Sequence, residues 1–506
     1  MVSARHSDSH WLAADLLSGL SLEKGVWGGI PLSGLSLDSR YVETGHLFIA
    51  LNGTSEHGLM HLSQALQRGA ALVLAEPGDD WPVERIFRLS GDVPVLPVEG
   101  LRAQMSALAS RFYGHPARQM RMVGITGTNG KTSVSLFLAR ALPEPWHCAV
   151  TGTTGNGFPE ALQAATHTTP DAVEAQRLLA RLHEQGAGAV AMEVSSHALD
   201  QHRLAAVPFH TAVFTNLSRD HLDYHGSMRA YAAAKQKLFE TDGLKLAVIN
   251  TDDEAGAELL ETVKGKVRTV ACHCGGKTLG ADEFVRQESL EQGPQGLVLG
   301  LSTSWGQAQI HSRLLGDFNA SNLMLVLAVL LAWNVPMEQA LARLEQLQTV
   351  PGRMQALGGG MHPLVVVDYA HTPDALGKVL ASLRAHCRGE LICVFGCGGD
   401  RDRGKRPQMG ALAEAMADRV IVTDDNPRHE ASPAIIADIL EGMQQPDNAL
   451  VEPDRARAIA LAMAKARPED VVLVAGKGHE TWQQVGDLRL PFSDVEQVCR
   501  NLGGEK

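Results

Sequence analysis

The sequence has no CxxC pair, no long apolar run, no surplus of positive charge and no internal repeat or low-complexity tract, and each shortage removes a class of protein. Seven cysteines (148, 272, 274, 387, 393, 397 and 499) are an odd number scattered over 506 residues. That argues against a disulfide framework and for a reduced, cytoplasmic protein. Cys272-His273-Cys274 is the nearest approach to a zinc knuckle, but no second pair lies at zinc spacing. The formal charge of -12 offers no basic footprint for nucleic acid, so an anionic ligand must be held by local groups. The longest apolar run, Leu323 to Trp333, is eleven residues, well short of the ~18 that suggest a membrane span. It reads as a buried helix capped by Asn319 or Ser321. The opening stretch, "MVSARHSDSHWLAADLL", lacks the apolar core of a signal peptide. The expectation is a cytoplasmic monomer with neither membrane nor nucleic acid as partner.

What is present is ordinary for a globular protein: 44% hydrophobic and 20% charged residues, with 50 glycines and 23 prolines. A chain of 506 residues exceeds one hydrophobic core, so two to four domains are expected. Three blocks emerge. In residues 1–115, "HLFIAL" and "AALVLAE" read as strands around the helical "LMHLSQALQRG". "GHPARQMR" (114–121) is polar and contains proline, as a linker would. The block 116–348 alternates apolar runs ("RMVGIT", "GAVAMEV", "HTAVFTN", "LKLAVIN") with helical periods, which predicts a parallel sheet covered by helices. After "TVPGRM", the block 349–506 has four strand-like runs, each ending in a chemically loaded loop at 368–374, 396–402, 423–428 and 476–480. Ligands of open α/β sheets bind beyond the carboxyl ends of strands, so these loops predict a binding face.

"GITGTNGKTS" (124–133) follows a predicted strand and opens a predicted helix, the context of a phosphate loop. It departs from G-x-x-x-x-G-K-[ST], because Ile125 occupies the place of the first glycine. Gly127 and Gly130 still let backbone N–H groups turn toward an anion at a helix N-terminus. Lys131 can reach the outer phosphates and Thr132 can bind Mg²⁺; the bland alternative is a capped turn with an exposed lysine. Glu193, ending the strand-like part of "AMEVSSH", reads equally as a Mg²⁺ ligand or a buried salt-bridge partner. Arg219, Asp220, His221, Asp223 and His225 crowd together after another strand and suggest a second charged site. Lys235 in "AYAAAKQKL" reads by itself as an exposed helix lysine.

The set "TGTNGKT", "MEVSSH", "NLSRDHLDYHG" followed by "AAK", "GRM", "DYAHTPDA", "FGCGGDRD", "DDNPR" and "GKGHE" closely resembles the Mur ligases, and within them the diaminopimelate-adding branch. The resemblance runs from "LDSR" at 37–40 to Glu480, and this family's phosphate loop, T-G-[ST]-N-G-K-[ST], does without the first glycine. It implies an α/β protein of three domains. These are a smaller mixed α/β N-terminal domain for the UDP substrate (1–115), a central ATPase-type parallel sheet (116–348) and a Rossmann-like C-terminal domain for the incoming diamino acid (349–506). It implies ATP-dependent amide-bond formation in peptidoglycan synthesis, joining meso-2,6-diaminopimelate to UDP-N-acetylmuramoyl-L-alanyl-D-glutamate through an acyl phosphate. A carboxylate is a poor electrophile until its oxygen becomes a phosphate leaving group, and phosphoryl transfer needs cations to balance both anions.

Carried over by resemblance, Gly127, Thr128, Asn129, Gly130, Lys131, Thr132 and Ser133 hold the ATP phosphates, and Thr132 and Glu193 share one Mg²⁺. His221 and a carbamate on Lys235 hold the second; carbamylation turns a cation that repels Mg²⁺ into an anion that binds it. Asn322 reads adenine, while Arg353 and Asp368 complete the nucleotide site. The UDP-sugar peptide is assigned to Leu37, Ser39, Thr54, Ser55, Glu56, Thr168, Thr169, Ser195, Gln201 and Arg203. His167 departs from the family pattern, which has asparagine before the two threonines. The diamino acid is assigned to Arg401, Asp425, Asn426, Pro427, Arg428, Gly476 and Glu480. Arg428 is suited to the carboxylate that distinguishes diaminopimelate from lysine, because a guanidinium binds it through two parallel hydrogen bonds. The alternatives are a folylpolyglutamate synthase-like ligase, against which "LDSR" and "DNPR" count, a lysine-adding ligase, against which "DNPR" counts, and a phosphate-loop NTPase switch.

Overall fold

The computed structural model describes residues 11–22, 25–53, 56–165, 167–218, 220–275, 280–293 and 295–503. The chain divides into two compact units, 1–269 and 270–506.

The first unit opens with four parallel strands in chain order, Gly34–Ser36, His46–Ala50, Leu72–Ala75 and Val95–Pro97. Their two faces differ in partner. Leu47, Ile49, Leu72 and Leu74 pack with the helix Leu101–Phe112, while Phe48, Ala50, Val73 and Ala75 build a separate small core. The alternation of side chains across a strand makes both faces apolar in "HLFIA", as a covered parallel sheet requires. The predicted linker is not open coil: Pro116–Gln119 forms a 3₁₀ turn with Pro116 and Ala117 buried, and the next strand starts at Arg121.

That strand, Arg121–Thr126, lies between parallel neighbours Ala189–Glu193 and Phe209–Phe214, with Cys148–Gly152 and Leu246–Asn250 beyond them. Three of these four flanking strands lie in the apolar runs that predict strands; Cys148–Gly152 does not. Helices Lys131–Ala141 and Ala172–Glu184 follow strands of this sheet. The second is capped by Asp171, whose carboxylate accepts from the N–H groups of Val173 and Glu174 at 2.9 and 3.0 Å.

In the second unit, Glu283–Gly293, Gly296–Thr303 and Gly306–Ser312 form an antiparallel meander. The apolar run is the buried helix predicted, Asp317–Ala332, but its N-cap is Gly316. Asn319 sits one turn inside, where its amide donates to Leu315 O at 2.8 Å, so neither Asn319 nor Ser321 is the cap. The last sheet runs Gln355–Gly358, Leu364–Asp368, Val471–Ala475, Leu391–Phe395, Arg419–Val422, Leu450–Val451; all but the first are parallel. Because the strands are parallel, their loaded loops emerge at one end, as expected from the sequence. No helix among the described residues is long and apolar enough to cross a membrane.

Candidate active site

In the first unit, a buried strand delivers the phosphate loop and its own backbone braces it. Gly127 has φ +148°, and a Cβ there would come 1.9 Å from Thr215 Oγ1, so only glycine lets the loop lie against residues 215–218. Thr128 N–H donates to Asn216 O at 2.8 Å, Asn129 N–H to Asn216 Oδ1 at 3.0 Å, and Thr215 Oγ1 to Asn129 O at 2.5 Å. Thr128 Oγ1 accepts from Ser218 N–H at 2.9 Å. Gly130 (φ +84°) starts the helix Lys131–Ala141, leaving the first N–H groups of that helix to an anion. Ser133 lies in its first turn. Lys131 Nζ curls back onto Gly127 O and Thr128 O, both at 2.9 Å. Its charge therefore sits at the loop, on the side of the phosphates it is expected to neutralise.

Glu193 ends the neighbouring strand and is fully buried. Its carboxylate accepts from Thr132 Oγ1 at 2.9 Å, from Thr153 N–H at 2.8 Å and from Thr153 Oγ1 at 3.2 Å. Burial pushes its pKa up, opposed by the Lys131 charge and these donors. Gly152 makes the space, since a Cβ there would stand 2.1 Å from Glu193 Oε1. Thr153 has no motif of its own, and sequence reasoning missed it.

Lys235 is not an exposed helix lysine. It is 2% exposed, on the inner face of the helix Met228–Gln236, with Nζ donating to Gly127 O at 2.8 Å and lying 4.4 Å from the Tyr231 ring centre. Desolvation, then the nearby Lys131 charge, lowers its pKa to about 6, with Asp220 opposing. His221, in the left-handed region at φ +52°, is half-exposed; its Nε2 is 3.4 Å from Asp220 Oδ2. Its ring centre is 6.0 Å from that of Tyr231, so Tyr231 is a common neighbour of His221 and Lys235. Of the predicted charged cluster, Arg219 lies outside the described residues. His225 Nε2 meets Ser196 Oγ at 2.9 Å.

A cavity of about 250 Å³ in this unit is lined by Leu37, Gln201 and Arg203, three of the residues that the resemblance assigns to the UDP substrate, and also by Arg102, His167 and Asp171. Arg203 donates to Thr169 O at 3.0 Å and through two nitrogens to Gln201 Oε1 at 3.0 and 2.7 Å. Thr169 Oγ1 donates to Glu193 O at 2.9 Å and accepts from Ser195 N–H at 3.0 Å. Thr168 Oγ1 is 3.1 Å from Thr153 Oγ1. One hydrogen-bonded chain thus links the cavity wall to Glu193. Ser39 is buried and donates to Gln64 Oε1 at 2.6 Å, and Glu56 Oε1 pairs with His61 at 3.0 Å. Thr54 and Ser55 lie outside the described residues. Arg102 was missed because a single arginine opening a helix has no distinguishing pattern.

In the second unit, Asp368 ends its strand buried, its two oxygens accepting from Met354 N–H and Ala370 N–H at 2.7 Å each. Burial raises its pKa, opposed by the Met354 N–H and by Arg353. The Arg353 guanidinium lies 5.1 Å from the Tyr369 ring centre. Gly352 packs so tightly on the 476–480 loop that a Cβ would meet His479 N at 2.0 Å. Asn322 is buried in the helix Asp317–Ala332, its amide donating to Asn319 Oδ1 at 3.1 Å.

The loops at 396–402, 423–428 and 476–480 converge at the carboxyl end of the last sheet. Asn426 donates to Glu480 Oε2 at 2.9 Å and accepts from Lys477 Nζ at 3.0 Å. Lys477, fully buried, also meets Glu480 Oε2 at 3.0 Å and Asp425 Oδ1 at 3.9 Å. Desolvation raises the Asp425 pKa, opposed by Arg455 and Lys477. Gly476 (φ +120°) lies against Asp425, whose Oδ2 would be 2.5 Å from a Cβ there. Arg428, following Pro427, has φ +52° and donates from Nη1 to Gly399 O at 2.7 Å. Arg401 is exposed and bonds only weakly to Asp400 O at 3.3 Å. Lys477 stood in the quoted "GKGHE", yet its role in joining Asp425, Asn426 and Glu480 required the fold.

Oxygen donors dominate around Thr132 and Glu193, and a carboxylate that burial disfavours as an anion is what a hard cation would stabilise. The donor set fits Mg²⁺, which takes few protein ligands and keeps waters. No cluster of three or more His, Cys, Asp or Glu side chains arranged for a metal occurs among the described residues.

Comparison with known proteins matches residues 125–330 to the Mur ligase middle domain and residues 352–478 to the Mur ligase glutamate ligase domain. The chain is 52% identical over 480 residues to the UDP-N-acetylmuramoyl-L-alanyl-D-glutamate–2,6-diaminopimelate ligase of Alkalilimnicola ehrlichii, covering 94% of this chain and 96% of the relative. It is 51% identical to the ligase of the same name from Pseudomonas aeruginosa, covering 92% and 94%. A solved structure of a ligase of that name aligns with a TM-score of 0.74 at 35% identity, over 98% of this chain and 99% of the other. A folylpolyglutamate synthase of Mycobacterium tuberculosis shares the fold, with a TM-score of 0.59 at 19% identity over 80% of this chain and 96% of the other.

Proposed function

Because the chain belongs to the Mur ligase family, we propose that it is the ATP-dependent ligase joining meso-2,6-diaminopimelate to UDP-N-acetylmuramoyl-L-alanyl-D-glutamate in peptidoglycan precursor synthesis. The observation that carries this reading is identity of 52% and 51%, over more than nine-tenths of the chain, to relatives named for that reaction. The side-chain carboxylate of the D-glutamate attacks the γ-phosphate of ATP, releasing ADP and leaving an acyl phosphate. The amine of the diamino acid then attacks the acyl carbon, phosphate departs, and the amine loses its proton.

The residues of this chain have distinct parts in that sequence. The N–H groups of the 127–133 loop and Lys131 cradle the phosphates, a charge-assisted arrangement worth far more in a dry site than in water. Thr132 and Glu193 would hold one Mg²⁺, with His221 and carbamylated Lys235 at a second. Bound there, the ions would offset negative charge on the phosphates and the carboxylate. The depressed pKa of Lys235 supports the carbamate, because only a neutral amine attacks CO₂, losing a proton as the carbamate forms. Asn322, Arg353 and Asp368 serve the rest of the nucleotide. Leu37, Gln201 and Arg203, with Ser39, Thr54 to Glu56, Thr168, Thr169 and Ser195, serve the UDP substrate. The 396–402, 423–428 and 476–480 loops serve the diamino acid. This division follows the blocks 1–115, 116–348 and 349–506, in a monomer acting in the cytoplasm.

The test is phosphate release from ATP with UDP-MurNAc-L-Ala-D-Glu and either meso-diaminopimelate or L-lysine, with the product identified by mass. Turnover should require both co-substrates and Mg²⁺ and should favour diaminopimelate. Turnover of ATP independent of the UDP substrate, or a glutamate-adding activity, would overturn the proposal.

A further inference from the structure

Arg428 is held by its surroundings on three sides. Its N–H donates to Gln484 O at 3.1 Å and its O accepts from Gly486 N–H at 2.7 Å, pairing it with the hairpin Trp482–Val485 and Leu488–Pro491. Its Nη1 reaches Gly399 O in the 396–402 loop. Arg428 and Asp400 both sit in the left-handed region, at φ +52° and +53°, a conformation that non-glycine residues keep only when neighbours enforce it.

The residue after Arg428 joins those same neighbours. His429 Nδ1 lies 2.8 Å from Asp400 Oδ2, and its Nε2 lies 3.2 Å from Asp487 Oδ1 in the hairpin turn. Both nitrogens can donate to carboxylates at once only in the imidazolium form. We propose that His429, bridging Asp400 and Asp487, is a positioning residue that sets the Arg428 guanidinium for the far carboxylate of the incoming diamino acid. This rests on the diaminopimelate reading above and adds to it a residue and a pH dependence.

The charges facing the imidazole favour its protonated form. Asp400 comes from the loop after Leu391–Phe395 and Asp487 from the hairpin. The hydrogen bond to Asp400, then that to Asp487, raises the His429 pKa, and the bond from His429 lowers that of Asp400. Glu430 is engaged elsewhere, with Arg406 at 2.8 Å and with Asp400 N–H at 2.6 Å. The cations on the adjoining segments are Arg428 itself, Arg401 in the 396–402 loop and Arg489 in the hairpin, whose guanidinium lies 4.5 Å from the Trp482 ring centre. As pH rises through the raised pKa, the bridge to one carboxylate is lost and Arg428 is less firmly set.

The experiment measures kcat and KM for meso-diaminopimelate from about pH 6 to about pH 9.5, at saturating ATP and UDP-MurNAc-L-Ala-D-Glu, in wild type, His429→Gln and Asp487→Asn. Taking wild type and variant as a ratio cancels the titration of the substrate amine. At the acid end, His429→Gln should raise KM for diaminopimelate about two- to fivefold, the range of exposed ion pairs, with kcat and the other two KM values unchanged. The ratio should approach one at the alkaline end, and Asp487→Asn, a nearly fully exposed position that cannot undermine the fold, should fall between. A ratio flat across pH, or all three KM values moving together, overturns the positioning role while leaving the ligase assignment intact. Wild-type enzyme that adds no diaminopimelate overturns both.

Discussion

On the proposed assignment, Arg428→Ala should separate recognition of diaminopimelate from everything else the site does. The substitution keeps both backbone bonds to the hairpin, because those belong to the N–H and O of residue 428. It removes the bond from Nη1 to Gly399 O, which anchors the loop whichever amino acid is bound. That shared loss is about 0.5–1.5 kcal/mol. The specific loss expected is the pair of charge-assisted bonds proposed to the far carboxylate, each about 1.5–3 kcal/mol, so together about 3–5 kcal/mol allowing for some rehydration of the substrate. In kcat/KM this is on the order of 10²- to 10⁴-fold for diaminopimelate, against about tenfold or less for lysine, which has no such carboxylate. Arg428→Lys should fall between, keeping the charge but losing the planar fork. The assay is kcat/KM for both amino acids in wild type and both variants. A wild type preferring lysine, or Arg428→Ala equally impaired with both, would refute the reasoning.

Other residues give sharp outcomes. Lys235→Ala should be nearly inactive and partly recovered by a small added carboxylate; near-full activity without it excludes the carbamate. Unmodified Lys235 has a folded-state pKa of about 6 against an ordinary 10.5, so it destabilises the fold below about pH 10, increasingly as pH falls to about 6 and constantly below that. In CO₂-free buffer, Lys235→Met should therefore raise Tm more at pH 6 than at pH 10, and an equal change at both would contradict the burial argument. Arg102→Gln should raise KM for the UDP substrate at least several-fold while leaving KM for ATP unchanged, because Arg102 lines the cavity with Leu37 and Arg203; unaltered kinetics would remove it from the site. Arg455 is fully buried, bound to Asp494 at 2.7 and 2.8 Å, so Arg455→Leu should cost about 3–5 kcal/mol by leaving a carboxylate unpaired, measured by chemical denaturation.

Local chemistry was legible wherever the chain itself supplied both halves of a motif. The phosphate loop could be read because Gly127, Gly130, Lys131 and Thr132 follow "RMVGIT" directly, and strand, turn and helix N-terminus are consecutive in the chain. The same holds for the four loops of the last block, since parallel strands necessarily present their carboxyl ends together. The helix Asp317–Ala332 was legible as a buried apolar run, but its cap was not. Asn319 and Ser321 resemble caps in isolation, whereas the backbone turn at Gly316 sets the true start.

What the sequence by itself determined, then, is most of what depends on neighbours within a few residues: the alternation of strands and helices, the glycines of the phosphate loop, and the family motifs. Contacts between distant segments were decided only by the tertiary structure. Thr153 reaches Glu193 across 40 positions, and Lys235 reaches Gly127 O across 108. Burial is such a property too, and it is burial that turns Lys235 from an ordinary surface cation into an amine with a pKa of about 6. The free energy of a charge depends on the medium around it, and that medium is assembled from strands, helices and loops that no local pattern places side by side.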